Sequence, residues 1–198
     1  MKRSSPTLLP LLRTATQGEI IAWLFLHPAE QFTITDLARR LGTSAPTVMR
    51  EADRLANAGL ITEQRIGATR HIRADINTPI FQPLADLMAV TYGPVPVLTD
   101  LLALIEGIEK AFIYGSWAAR YHEHPGRVPN DLDVLVVGAP DPDDLFEAAD
   151  TASTKLGRQV NIRRVTRSSW DDIEGADPFI QSVRGRPKVP LNLKSEDL

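Results

Sequence analysis

The chain has 198 residues and no cysteine. That excludes a disulfide framework and any cysteine-ligated zinc, and it fits a reducing compartment. It also lacks any apolar run near the roughly 20 residues that cross a bilayer. The opening stretch, MKRSSPTLLPLLRTATQGE, has a basic start and a brief apolar segment. Pro6 and Pro10 interrupt that segment and no small-residue cleavage site follows, so it does not read as a secretory signal. A soluble cytoplasmic protein with no membrane partner is expected. Aromatic residues are few, at 6%, and the net charge is only -3. With 43% hydrophobic and 24% charged residues the composition is that of an ordinary globular chain, which excludes fibrous and disordered classes.

The small net charge hides an uneven distribution. Between Ile34 and Arg73 the basic residues Arg39, Arg40, Arg50, Arg54, Arg65, Arg70 and Arg73 outnumber Asp36, Glu51, Asp53 and Glu63. From Leu98 to Asp150 only Lys110, Arg120 and Arg127 stand against many carboxylates. A basic segment followed by an acidic one suggests two domains with different tasks.

Apolar residues at Ile20, Ile21, Leu24 and Phe25 have helical spacing, and Pro28 ends that segment. In TITDLARRLG, Thr35 is placed to cap a short helix with Leu37, Ala38 and Leu41 inward. Gly42 supplies a turn, and a cap at Thr43 or Ser44 opens a helix from Ala45 to Ala58. Val48, Ala52 and Leu55 face inward on it, and Gly59 stops it. The period then changes: LITEQRI and TRHIRA read as a hairpin around Gly67-Ala68.

Helix, helix, turn, helix, hairpin is the order of a winged helix-turn-helix. Residues 17–75, and above all FTITDLARRLGTSAPTVMREADRLANAGLI, resemble winged-helix regulators of the ArsR or MarR type. The resemblance implies a double-stranded DNA partner, with the second helix of the motif entering the major groove by its N-terminal residues. Ser44, Ala45, Pro46, Thr47 and Arg50 would then lie nearest the bases. Arg54 shares a face with Arg50. Arg65, Arg70 and Arg73 on the wing would meet backbone or minor groove. The competing reading is a winged helix used only for protein contacts, its arginines a solvated face. Such regulators usually read two half-sites as symmetric dimers, so a homodimer is expected. TLLPLLR and the helix around Leu84, Leu87 and Met88 are either dimer surfaces or packing within their own domain.

The second half alternates strand and helix. LTDLLALIEGI reads as a helix, KAFIY as a buried strand, and a short helix follows Gly115-Ser116. DLDVLVVG is a strand, DPDDLFEAADTASTKLG a helix, RQVNIRRV a strand, and another helix lies near Asp177 to Val183. This α/β (α+β) pattern implies a mixed sheet with flanking helices. The expected division is a winged helix over 1–77, a connecting helix and Pro/Gly linker over 78–97, and a second domain over 98–198.

Asp131 and Asp133 are two apart on a strand, so both point to one face while Leu132 and Val134 point into the core. With Gly115 and Ser116 after the preceding strand, AFIYGSWAARYHEHPGRVPNDLDVLVVG resembles the minimal members of the polymerase-β-like nucleotidyltransferases. The resemblance runs from about Leu98 to Pro190. It implies Mg²⁺ on Asp131 and Asp133, and a nucleoside triphosphate near Gly115, Ser116 and Arg120. Ser116, Asp131 and Asp133 would be the catalytic set. Arg120 stands where the family usually has glycine. The third carboxylate of active members corresponds to Asn161, a ligand without charge. At an effective dielectric near 20, losing one charge ~4 Å from a divalent ion forfeits several kcal/mol. Asp171 or Asp172 would compensate only if the chain folds back. His122 and His124, flanking Glu123, are expected to be a solvated loop. The resemblance thus implies a DNA-binding regulator, antitoxin-like, whose second domain binds Mg-nucleotide with reduced or no transfer. The other implied function is an active transferase moving a nucleoside monophosphate onto a protein or small-molecule hydroxyl. A cognate toxin or protein acceptor is the matching partner.

Overall fold

The computed structural model describes residues 12–121, 131–172 and 177–193. The chain divides into two units between Gly93 and Pro94.

In the first unit, Thr14 caps α1 (Ala15–Leu26) by accepting from the Gln17 amide. Gly18 and the whole run Ile20 to Phe25 are buried, so this helix is apolar all round. It packs against neighbours on several sides, so Ala22 and Trp23 are buried as well as the Ile20, Ile21, Leu24 and Phe25 of the helical spacing. β1 (Phe32–Thr33) leads into α2 (Ile34–Arg40). The cap of α2 is Thr33, not Thr35. Thr33 has extended backbone, its Oγ1 accepts from the Asp36 amide at 3.0 Å, and its hydroxyl donates to the Asp36 carboxylate at 2.8 Å. Thr35 already lies inside the first turn, where an exposed side chain caps nothing.

Gly42, at φ +60, turns the chain, and Ser44 caps α3 (Ala45–Asn57) by accepting from the Thr47 amide. Val48, Ala52 and Leu55 are buried as their spacing requires. β2 (Ile61–Ile66) and β3 (Thr69–Ala74) pair antiparallel around Gly67-Ala68, and β1 adds to β3. α4 (Phe81–Tyr92) packs on α1 and buries Met88 in the same core, while Leu87 stays exposed. Met88 is therefore internal to its own unit. Most of TLLPLLR lies outside the described residues. The stretch expected as a connecting helix and linker is thus two helices broken at Gly93. Pro94 and Pro96 fit the second because first-turn positions need no intrahelical N–H bond.

The second unit runs α5 (Pro94–Leu102), β4 (Ile108–Tyr114), α6 (Gly115–Tyr121), β5 (Asp131–Gly138), α7 (Pro142–Leu156) and β6 (Gln159–Val165). α8 (Arg167–Asp171), α9 (Pro178–Gly185) and β7 (Val189–Leu191) complete it. The sheet order is β6-β5-β4-β7; β5 and β6 are parallel and the other pairs antiparallel. Alternation sends Leu132, Val134 and Val136 to one face, where they form a core with residues of α5 and α7. Leu135 and Val137 go to the other, under Trp170, Ile180 and Val183. The result is the expected mixed α/β class: an N-terminal winged helix and a C-terminal sheet with flanking helices.

Candidate nucleic-acid interface and acidic strand end

The N-terminal end of α3 presents a polar patch. The Ser44 and Thr47 hydroxyls lie 2.8 Å apart, and Arg50 donates to Thr47 Oγ1 at 3.3 Å. Pro46 is exposed about one turn before Met49 and Arg50, which are exposed too, while Ala45 is half-buried. Met49 was missed by sequence reasoning. Its position three after Pro46 was the available signal, since that spacing puts both on one helix face.

The remaining arginines separate by partner. Arg54 pairs with the carboxylate of Glu51, which is itself buried and accepts from Gln17 of α1 at 3.2 Å. Arg54 thus neutralises a buried charge that ties α3 to α1. Arg70 donates to Asp53 of α3 and to Glu63 of β2, each at 2.5 Å. Burial alone would lower the proton affinity of its guanidinium. The hydrogen bonds and charges of Glu63 and Asp53 outweigh burial and raise its pKa. Arg73 donates to Thr62 at 3.2 Å on the face of the wing opposite Ile72 and Ala74. Arg65 sits across from Arg70 in register and is exposed. It makes none of the ion pairs seen among the described residues. The structure therefore joins Ser44, Thr47 and Arg50 at one helix end and leaves Arg65 exposed on the wing. Arg54 and Arg70 face carboxylates of their own unit.

At the other site, three strands bring polar groups to one sheet end. Asp133 stands between Tyr114 of β4 and Asn161 of β6 in register, and Asp131 is level with Gln159. Asn161 donates to Asp133 Oδ1 at 3.3 Å and accepts from Gln159 Nε2 at 3.1 Å. A carboxylate only accepts, so its amide nitrogen must face Asp133. Asn161, expected as a metal ligand, here donates its N–H to Asp133 and accepts from Gln159 at its carbonyl. Gly115 has φ +76, and a Cβ there would stand 2.9 Å from Asp133 Oδ2. Glycine is needed at this position on both counts. Ser116 and Arg120 are exposed on α6. Burial first, and the Asp133 charge second, raise the Tyr114 pKa, with Arg163 opposing.

Asp171 does not reach this end. It pairs with Arg167, which also pairs with Glu109 near the opposite end of β4. Among the described residues no group of three or more His, Cys, Asp or Glu could hold a metal ion. His122, Glu123 and His124 lie outside the described residues.

The MarR family model matches residues 13–70, which span α1 to the start of β3. Three solved structures are similar in part. One is MepR, a transcription regulator of the Staphylococcus aureus multidrug efflux pump MepA: 24% identity over 42% of this chain and 60% of that one, TM-score 0.34. Another is the AntR antimony-specific transcriptional repressor: 24% identity over 34% of this chain and 60% of that one, TM-score 0.29. The third is TrmBL2, an archaeal chromatin protein: 15% identity over 84% of this chain and 69% of that one, TM-score 0.26. The chain spans 60% of the length of each of the first two. Comparison with curated proteins gives no match.

Proposed function

We propose that this chain, whose residues 13–70 carry a MarR-type winged helix, is a DNA-binding transcription regulator. The observation that carries the reading is the patch of exposed Ser44, Pro46 and Arg50 with half-buried Thr47 at the N-terminal end of the second motif helix. That end of such a helix meets base edges in the major groove. Arg65 on the wing would neutralise phosphate beside it. Binding of this kind weakens linearly in log affinity with log salt. The test is titration of duplexes from the protein's own promoter region at several salt concentrations. Arg50→Ala should cost ~1–3 kcal/mol if it makes a bidentate base contact. No binding to any such duplex at low salt would remove the main support.

A second reading concerns the acidic strand end. Asp131 and Asp133 on one face, with Gly115 permitting close approach, support binding of a nucleoside triphosphate with Mg²⁺ by the second unit. The donors fit in kind, since Mg²⁺ takes hard oxygen ligands. They fall short in charge, since no third carboxylate joins them among the described residues. When bound, the metal would neutralise phosphate charge. Asp131 and Asp133 would hold it, and Gly115, Ser116 and Arg120 would face the phosphates. Transfer is accordingly slow or absent. The alternative, an active transferase, uses the same Ser116, Asp131 and Asp133. Calorimetry with Mg-nucleotide, followed by pyrophosphate release, separates them. Asn161→Asp should tighten metal binding, and changing both aspartates to asparagine should abolish it. Rapid turnover by the wild type, lost in Asp131→Asn, would establish the enzyme.

A further inference from the structure

The two edges of the C-terminal sheet are built differently. β7 has three residues with Pro190 at its centre, a short edge of the kind that resists pairing. β6 has seven residues, no proline, and unbroken register with β5. Among the described residues no strand pairs with its outer side. The Val160 amide donates to Ser153 Oγ of α7 at 3.0 Å. Alternation turns the amides of Ile162 and Arg164 to that same side.

A groove of about 610 Å³ lies between α7 and β6, with Val160 and Ile162 at its base and Phe146, Ala149 and Ser153 along its wall. Phe146 is 75% exposed although it is a large apolar side chain. On α7 it shares a side with Ala149, Asp150 and Ser153, three, four and seven residues on. One large residue beside two small ones is a self-complementary outline.

We propose that β6 and α7 form the interface between two copies of this chain, with the β6 strands paired antiparallel about a two-fold axis near Ile162. The levels of the two elements agree with one axis. Ser153 stands beside Val160. α7 runs opposite to β6, because it connects the parallel strands β5 and β6. A strand rises about 3.3 Å per residue and a helix 1.5 Å, so Ile162 is level with a helix residue roughly four before Ser153, which is Ala149. Rotation about that level sets each Phe146 against Ala149 and Ser153 of the other copy. The charges also match. Asp150 of one copy comes within side-chain reach of the other's Arg164, whose guanidinium also donates to the Pro140 carbonyl at 2.9 Å. Strands pair at about 4.8 Å and helices at 8–10 Å, so strand pairing brings the two α7 helices side by side. The two sheets become one.

The test needs no DNA, so it is independent of the regulator reading. The full-length protein should sediment as a dimer, and Phe146→Glu should raise the dissociation constant roughly tenfold or more. Because the chain has no cysteine, single cysteines report the geometry. Ala149→Cys should cross-link to a dimer with a short bismaleimide, and Thr151→Cys, on the other side of α7, should not. A monomer at all concentrations overturns the proposal. So does a dimer that cross-links through Leu87→Cys on α4 and not through Ala149→Cys.

Discussion

Gly115 and Tyr92 show how single residues are constrained in this molecule. An alanine at 115 would hold its Cβ against Asp133 in a left-handed backbone conformation. Gly115→Ala is expected to destabilise by about 1–2 kcal/mol, read by urea denaturation, and to disturb Asp133 directly. The Tyr92 hydroxyl is buried without a hydrogen-bond partner among the described residues, and a Cβ at Gly18 would stand 2.1 Å from it. Tyr92→Phe removes an unpaired polar group, so it should be neutral or stabilising by up to about 1 kcal/mol. It should also relieve part of the damage of Gly18→Ala, which a double-mutant cycle would measure. Burial, followed by the Glu19 charge, raises the Tyr92 pKa above its ordinary 10.0, and burial also leads the upward shift of Tyr114. Both rings are neutral in the folded state over a wider range than in the unfolded one. Stability from this source is complete below pH 10 and is lost as pH rises through the folded values. Thermal melts should show an alkaline decline that Tyr92→Phe with Tyr114→Phe flattens. Much at this scale was legible in advance. The opposite facing of Asp131 with Asp133 and Leu132 with Val134 follows from strand alternation alone. The partners of Arg70 were not legible, because Asp53 and Glu63 reach it from 17 and 7 residues away and only folding brings them together.

At the level of elements, capping and clamping decide how the winged helix holds its shape. Thr33→Ala should cost about 1 kcal/mol through loss of the α2 cap, and Thr35→Ala should be nearly silent. The sequence offers two threonines two positions apart. Local pattern could not choose between them, because the choice depends on β1 holding Thr33 extended against β3. The wing makes a sharper contrast. Arg70 links β3, β2 and α3, so Arg70→Ala should weaken DNA binding while leaving the salt slope unchanged. Arg65→Ala, if it removes a phosphate contact, should lower that slope by about 1. Titrations across a salt series separate the two, and an equal loss of slope in both variants would falsify the clamp role of Arg70. The long periodic elements α3, α7 and β5 were readable within a few residues. α8, β1 and β7 were not: five residues or fewer give too little periodicity, and each element depends on neighbours distant in sequence.

The whole chain is two units with separate cores. The core of the first unit draws on residues from Leu12 to Tyr92, and those of the second on residues from Val95 to Leu193. A short glycine-serine insertion after Gly93 should therefore leave the melting behaviour of each unit unchanged, as calorimetry would show. A large shared loss of stability would mean that the units fold as one. The uneven charge along the chain was an early sign of this division, but the apolar pattern put the second helix over LTDLLALIEGI where α5 is Pro94–Leu102, because the prolines expected in a linker open a helix instead. The proline at the centre of β7 has a consequence for how far the molecule can grow. A sheet with two open edges would join end over end without limit, as fibres do. In the C-terminal sheet one side is blunted, so its edge-to-edge association is left with β6, and a two-fold contact there uses the same edge on both copies. Such an assembly stops at two, so this sheet does not by itself propagate the filaments that a doubly open sheet would form.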